Sequence, residues 1–448
     1  VVTASLAPGV KRREVWSWAL YDFANSGYTT VVVTAVFSAY FVGVVAAKAP
    51  WATFAWTAAL SASYALIMFT GPLVGAYADS RGAKKRLLLA TTVGCVVFTA
   101  ALAFVGPGDV VLAVALIVLS NFFFGSGENL IAAFLPELAN EDAIGKVSGW
   151  GWALGYVGGL VSLGASLAYV THAQARGAPA QDFVPVAMLI TAAIFALASL
   201  PTFLFLRERA QPRARSRDTA GAWARLRDTL AHARRYKDLE RFLLCVVFYQ
   251  AGIQAVVALA AIYAEQAMGF TTRETITLIL VVNVTAAIGA WAFGQVQDSL
   301  GHVRTIQVTL IGWILVVALA SAAEGKTLFW ITANLVGVCL GSSQSAGRAM
   351  VGYLSPRNRT GEFFGLWGLA VKLSSILGPI TYGVVSWMSG GDHRLAILIT
   401  GVYFVVGLAL VATLDVQRGR RAALAAADPN PKSPPSPGRE NLPISKIS

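Results

Sequence analysis

Apolar residues run along this chain in blocks of about twenty, broken by short charged segments. A helix of that length crosses a hydrocarbon core of about 30 Å. The blocks lie at 17–45, 52–77, 87–105, 110–134, 147–169 and 184–206, then at 242–264, 275–297, 305–322, 327–350, 363–387 and 394–415. This pattern predicts an all-α polytopic membrane protein with twelve transmembrane helices. Composition agrees: 56% of residues are hydrophobic and 13% charged, against about 25% charged in soluble domains.

Charge then sets orientation. Of 35 Lys and Arg, 28 fall in the segments on the side of the N-terminus and five in the loops opposite. By the positive-inside rule both ends face the cytoplasm, which in a bacterium makes this an inner-membrane protein. The net charge of +12 is thereby explained without nucleic acid. Residues 207–241 form an Arg-rich linker, in which 222–236 suits either a basic helix on the anionic leaflet or a solvated connection. The end of the chain, 416–448, reads as a disordered tail, Pro- and Ser-rich from Asp428. The first apolar run is too long for a cleavable signal, and no small-residue cleavage site follows it. Cys95, Cys245 and Cys339 lie inside apolar runs with no metal-ligand spacing, so no metal and no cofactor is expected.

One charged turn occurs twice. GAYADSRG begins at Gly75 and GQVQDSLG at Gly294, so Gly75, Asp79 and Gly82 match Gly294, Asp298 and Gly301. A second echo joins Gly145–Gly149, opening span 5, to Gly361–Gly365, opening span 11. The chain is therefore six spans plus six: an N-terminal bundle at 1–206 and a C-terminal bundle at 242–415. Asp79 and Asp298 sit at helix C-termini, where the helix dipole disfavours an anion. They are expected to cap the starts of spans 11 and 5 and so to latch one bundle to the other at the cytoplasmic face. The alternative is a solvated turn that fixes topology through Arg81, Lys84, Lys85 and Arg86.

Twelve spans, a six-plus-six repeat and a Gly-x-x-x-Asp turn after spans 2 and 8 resemble the major facilitator superfamily. Trp18-Ala-Leu-Tyr-Asp22-Phe-Ala-Asn25-Ser26-Gly-Tyr28 in span 1 is similar to the signature of its vacuole-effluxer-like branch. Phe134-Leu-Pro136-Glu137, Ser148-Gly-Trp-Gly-Trp-Ala-Leu-Gly-Tyr156, Gln344-Ser-Ala-Gly-Arg348 and Phe363-Phe-Gly365 with Lys372 extend the likeness over about residues 15–415. The sequence departs from that branch at Ala251-Gly252, where an Asp-Gly pair is frequent, and span 4 has no Arg, where many proton-coupled members of the superfamily place one. The resemblance implies a secondary transporter, with amino acids as the implied cargo.

Ionised groups at mid-membrane cost about 2.5–3.5 kcal/mol each on insertion scales, so those present need a reason. Lys372, Asn25, Tyr28, Gln250, Gln254 and Gln344 are the candidate cavity residues, Gln250 and Gln254 sharing one helical face. Asp22 and Glu128 are the candidate proton-coupling carboxylates. Both also admit a structural reading: Glu128 paired with Arg348 or Lys372, and Asp22 with the Lys11–Arg13 cluster. Arg348 belongs with the cytoplasmic gate. Trp16, Trp18, Trp51 and Trp387 read as interfacial belt residues, and the four histidines fall in loops.

These features favour a monomeric transporter of a small solute, embedded in lipid, working by alternating access and drawing on protons. A drug:proton antiporter and a non-transporting sensor or scaffold are the alternatives. No nucleotide-binding loop and no hydrolase or metalloprotease motif is present, so the chain is not expected to be an enzyme.

Overall fold

The computed structural model describes residues 6–139, 144–209, 236–355 and 360–425. Twelve long helical segments take up the twelve apolar blocks. They are α1 (Arg12–Val45), α2 (Ala52–Arg81), α3 (Lys84–Ala101), α4 (Val110–Ala132), α5 (Ile144–Ala175) and α6 (Ala180–Phe205), then α7 (Lys237–Gln266), α8 (Thr272–Leu300), α9 (His302–Ala322), α10 (Lys326–Leu354), α11 (Thr360–Met388) and α12 (His393–Ala412). Among the described residues, eleven are long and apolar enough to cross a membrane. The twelfth, α10, is more polar because Asn334, Ser342, Ser343 and Gln344 lie along it.

The packing scheme maps onto itself when every helix number rises by six. In the first half α1 packs on α5 and α6, α3 on α4 and α6, and α2 on α4. In the second, α7 packs on α11 and α12, α9 on α10 and α12, and α8 on α10. Across the halves α2 lies along α11, and α5 along α8. This is the six-plus-six arrangement that the duplicated turn implied.

Small residues make the contacts within each half close. The stripe Gly151, Gly155 and Gly159 of α5 lies against Asp22, Ser26 and Thr30 of α1, and a side chain at Gly158 would collide with the Phe23 backbone. Gly378 of α11 meets Ala251 of α7 in the same way, and Gly341 of α10 meets Ala286 of α8. Close approach of this kind gains dispersion contact that larger side chains would prevent.

Polar side chains inside the first half are spent on neighbouring helices. From α1, Trp18 Nε1 donates to the Ile131 carbonyl at 2.9 Å, the Tyr21 hydroxyl bonds Thr92 at 2.7 Å and the Tyr28 hydroxyl bonds Ser120 at 2.8 Å. Trp18 is thus buried and does not join the interfacial belt, because its N–H finds a carbonyl on α4 instead of a headgroup. Trp16, Trp51 and Trp387 are exposed. His172, His302 and His393 are on helix ends rather than in loops, and buried His393 pairs through Nδ1 with the Tyr382 hydroxyl at 3.0 Å. His232 lies outside the described residues.

Ion pairs tie together the face that holds the chain termini. Glu14 pairs with Arg209 at 2.8 Å, and Glu137 pairs with Lys84 at 3.0 Å. The Glu208 carboxylate accepts from the Lys84 and Lys85 backbone amides at the start of α3, where a helix N-terminus favours an anion. In the second half Arg418 pairs with Asp238 at 2.6 Å. Donating hydrogen bonds to the Glu14 and Asp238 carboxylates holds the Arg209 and Arg418 guanidiniums above their ordinary pKa. Arg418 belongs to α13 (Val416–Ala425), a helix in a stretch that composition assigned to the tail. Its anchors explain the difference: Arg418 on Asp238, Arg420 donating to the Tyr353 carbonyl, and Ala423 buried.

The two repeated turns use their last glycine for its backbone. Gly82 ends α2 at φ 58°, ψ 45°, and Gly301 precedes α9 at φ 84°, ψ 151°. The first conformation costs an L-residue about 1–2 kcal/mol. The second lies in a region essentially restricted to glycine, at about 1–3 kcal/mol. Gly301→Ala is therefore expected to lower the thermal midpoint of the purified protein more than Gly82→Ala does. Equal shifts in a side-by-side melt would show that the two turns are not held by backbone geometry.

Candidate functional site

An ion pair joins the halves at mid-helix. Lys372 of α11 places Nζ 2.6 Å from Glu128 Oε2 of α4. The Lys372 ammonium also lies 5.5 Å from the centre of the Tyr64 ring on α2, close enough for a cation–π contribution. The Glu128 side chain is 44% exposed. A carboxylate whose partner sits on the opposite half faces the cleft between them, so the cleft reaches this pair.

A ladder of contacts leads from the pair toward the face opposite the termini. Ser61 Oγ donates to the Ile376 carbonyl at 3.2 Å, Gly383 packs on Thr57, and Phe54 stacks on Trp387 at 5.2 Å. Residues 54, 57, 61 and 64 share one face of α2, and 372, 376, 383 and 387 share one face of α11. The two helices run antiparallel, and the halves are in contact along this whole stretch.

Amide side chains surround the same depth. Gln250 Nε2 of α7 donates to Gln344 Oε1 of α10 at 3.3 Å, and Asn121 Nδ2 of α4 donates to Ser63 Oγ at 3.0 Å. Asn25 Oδ1 of α1 and Gln250 Oε1 are buried without an aligned donor. A buried acceptor left unpaired costs about 1–3 kcal/mol. Such acceptors suit a solute that brings N–H or O–H groups.

The sequence-derived candidates are distributed as follows. Lys372 and Glu128 are brought together, as are Gln250 and Gln344; Tyr28 stacks on Phe124 at 4.7 Å and is spent on Ser120. Gln254 is half-buried on α7. Asp22 lies against Gly151 of α5. Gly75 faces open space, and the Arg81 guanidinium stacks 4.7 Å over Tyr77. The side chains of Asp79, Asp298 and Arg348, and the surroundings of Gly294, lie outside the described residues, as do residues 222–235 of the basic segment. Tyr64 escaped the sequence reading, although Thr57, Ser61 and Tyr64 recur at helical spacing and mark a polar face on α2.

Residues 52–424 match the family described as vacuole effluxer Atg22 like. The chain belongs to that family. It is 29% identical over 404 residues to the uncharacterized MFS-type transporter YxiO of Bacillus subtilis, covering 88% of this chain and 93% of that one. Autophagy-related protein 22 of Candida glabrata is 26% identical over 213 residues, 45% of this chain and 39% of the yeast protein. The chain thus spans under half of that fungal relative. Among solved structures, the nucleoside transporter NupG (D323A mutant) superposes with TM-score 0.68 at 15% identity, over 90% of this chain and 99% of that one. A bacterial homolog of the human lysosomal transporter Spinster, inward-facing and unoccupied, gives 0.67 at 13% identity over 94% and 100%. This Atg22-like chain is therefore an MFS-type membrane transporter in fold and family, and its relatives are transporters rather than enzymes.

Removing one member of the central pair leaves the other uncompensated. Glu128→Ala is expected to cost about 1–3 kcal/mol, below the value for a fully buried pair because Glu128 is partly solvated. The double variant Glu128→Ala/Lys372→Met is expected to recover part of that loss. A double-mutant cycle on thermal unfolding in detergent measures the coupling; strictly additive effects would mean that the pair contributes nothing.

Proposed function

We propose that this transporter carries a small amino acid or similarly zwitterionic metabolite by alternating access, with Lys372 receiving its carboxylate. The observation that carries this reading is the Lys372–Glu128 pair, held at 2.6 Å between the two halves. A solute carboxylate competes with Glu128 for the ammonium, and its own ammonium compensates the released Glu128. The unpaired acceptors of Asn25 and Gln250 favour a solute with donor groups. A proton on Glu128 would free Lys372 in the same way, which makes Glu128 the leading coupling group and Asp22 the second. A drug:proton antiporter requires an acid available to a cationic drug; Glu128 instead has a cation of its own.

In this reading residues 1–206 and 242–415 rock as two bodies about the midplane, linked by 207–241. Both termini face the cytoplasm of a bacterial inner membrane, as the Lys and Arg distribution favours. Asp79 and Asp298 act as cytoplasmic latches, supported by the packing of α2 on α11 and of α5 on α8.

A thermal-shift screen of the purified protein against a metabolite panel, at two pH values, tests the cargo. Ligand at about a hundred times its Kd stabilises the native state by about 2.7 kcal/mol. The stabilisation by the amino acid is expected to fall in Lys372→Ala; an undiminished shift would remove Lys372 from the site. Asp79→Asn is expected to slow transport by liposomes roughly threefold to tenfold while leaving ligand affinity nearly constant. Equal loss of rate and affinity would count against a latch.

A further inference from the structure

A second polar cavity lies away from the central pair, at the face opposite the termini. It is bounded by the end of α1, the start of α6, the end of α7 and the start of α8, and encloses about 190 Å³. An apolar cavity of about 150 Å³ accommodates benzene, so this one has room for a solute of about six to eight non-hydrogen atoms. Both halves contribute to its wall.

Its lining joins opposite charges. Glu265 near the end of α7 faces the cavity, with Lys48 from the turn after α1. The hydroxyls of Thr272 and Thr275 lie beside the Glu265 carboxylate. Even so, Glu265 Oε1 is buried without an aligned donor, and so is Thr275 Oγ1. Lys48 is held there by an unusual backbone: Ala47 and Lys48 adopt φ of 49° and 57°, the two non-glycine residues with positive φ among those described. Left-handed backbone at residues of this kind costs free energy that the surrounding structure must offset, and it concentrates at functional positions. Two segments of α1, Thr29–Ala35 and Phe41–Val45, are wound as π-helix; the second leads directly into this turn, and such segments frequently mark functional sites.

We propose that this cavity is a second solute site, distinct from the midplane pair, that binds a small α-amino acid with its ammonium on Glu265 and its carboxylate on Lys48. A carboxyl and an ammonium group lining a cavity of this volume favour a short zwitterion over a neutral solute or a singly charged one. Gln266, also in the wall, supplies a further polar edge. The site sits where a solute would meet the transporter from the face opposite the termini, before the halves part.

The test uses the full-length purified protein in detergent, with glycine and alanine as probes and with ethylamine and acetate as half-probes. Saturable thermal stabilisation by the zwitterions is expected, with neither half-probe matching it. With the midplane site disabled by Lys372→Ala, a reduced response is expected to persist, and Glu265→Gln added to that background is expected to weaken it about tenfold or more, through loss of a charge-assisted contact. In the same Lys372→Ala background Ala180→Leu, which fills the cavity from α6 and replaces neither charged side chain, is expected to abolish the remaining response and guards against a fold defect in Glu265→Gln. The proposal is overturned if both cavity variants bind like the parent. Loss of all response in Lys372→Ala alone would also overturn it while supporting the midplane site. Stabilisation by sodium chloride but by no amine would overturn it too.

Discussion

A charge in the middle of a bilayer must find its counter-charge inside the protein, and here the two partners come from different halves. Lys372 belongs to α11 and Glu128 to α4, so the interaction that makes the polar centre tolerable also restrains the halves. At an effective dielectric of about 20, a pair 4 Å apart gains about 4 kcal/mol, and one 8 Å apart about half as much. Separating the halves at this depth therefore costs on the order of 2 kcal/mol unless another charge takes the place of the lost partner. A charged solute can be that replacement, and only through such differential interaction can it shift the balance between two conformations.

The rest of the packing distributes stiffness around that restraint. Within each half, helices meet through glycine and hydroxyl residues: α5 on α1 at Gly151, Gly155 and Gly159, α11 on α7 at Gly378, α10 on α8 at Gly341. Backbones in such contact cannot slide without collision. Between the halves, α2 and α11 share one glycine contact, Gly383 on Thr57 and the Phe54 backbone, and otherwise touch through separate steps, the Ser61 hydroxyl on a carbonyl, the Phe54–Trp387 stack and the Tyr64–Lys372 contact. Each step can be broken singly. Close contacts within halves and stepwise contacts between them are the mechanical condition for motion of one half against the other.

Much of this was legible in the sequence, for physical reasons that differ by feature. The bilayer demands long apolar helices, so the twelve blocks located the helices to within several residues. The duplicated turn gave the symmetry because a helix end followed by a left-handed residue needs glycine, and Gly82 and Gly301 both have positive φ. Lys372 and Glu128 stood out because ionised side chains are rare in such runs. Tyr64 did not, because an aromatic residue in an apolar helix looks the same whether it faces lipid or an ammonium. Glu265 and Lys48 were passed over because each lies at a span end, where charged residues are common. Only the fold brings them to one cavity. Trp18 was misread for the related reason that burial of an indole depends on a carbonyl 113 residues away.

The duplication carries one more consequence for the cleft. Gly127 of α4 leaves room for the Tyr21 hydroxyl, and Gly347 of α10 does the same for Tyr249, so these glycines are equivalent positions of the two halves. The residue that follows is Glu128 in the first case and Arg348 in the second. A faithful repeat would have placed the same charge at both positions. Inversion at this position keeps the fold and its small-residue contact while making the two halves electrostatically unlike. Glu128 of the first half is met by Lys372 of the second, so the repeat departs from symmetry in charge at the residue through which the halves are joined.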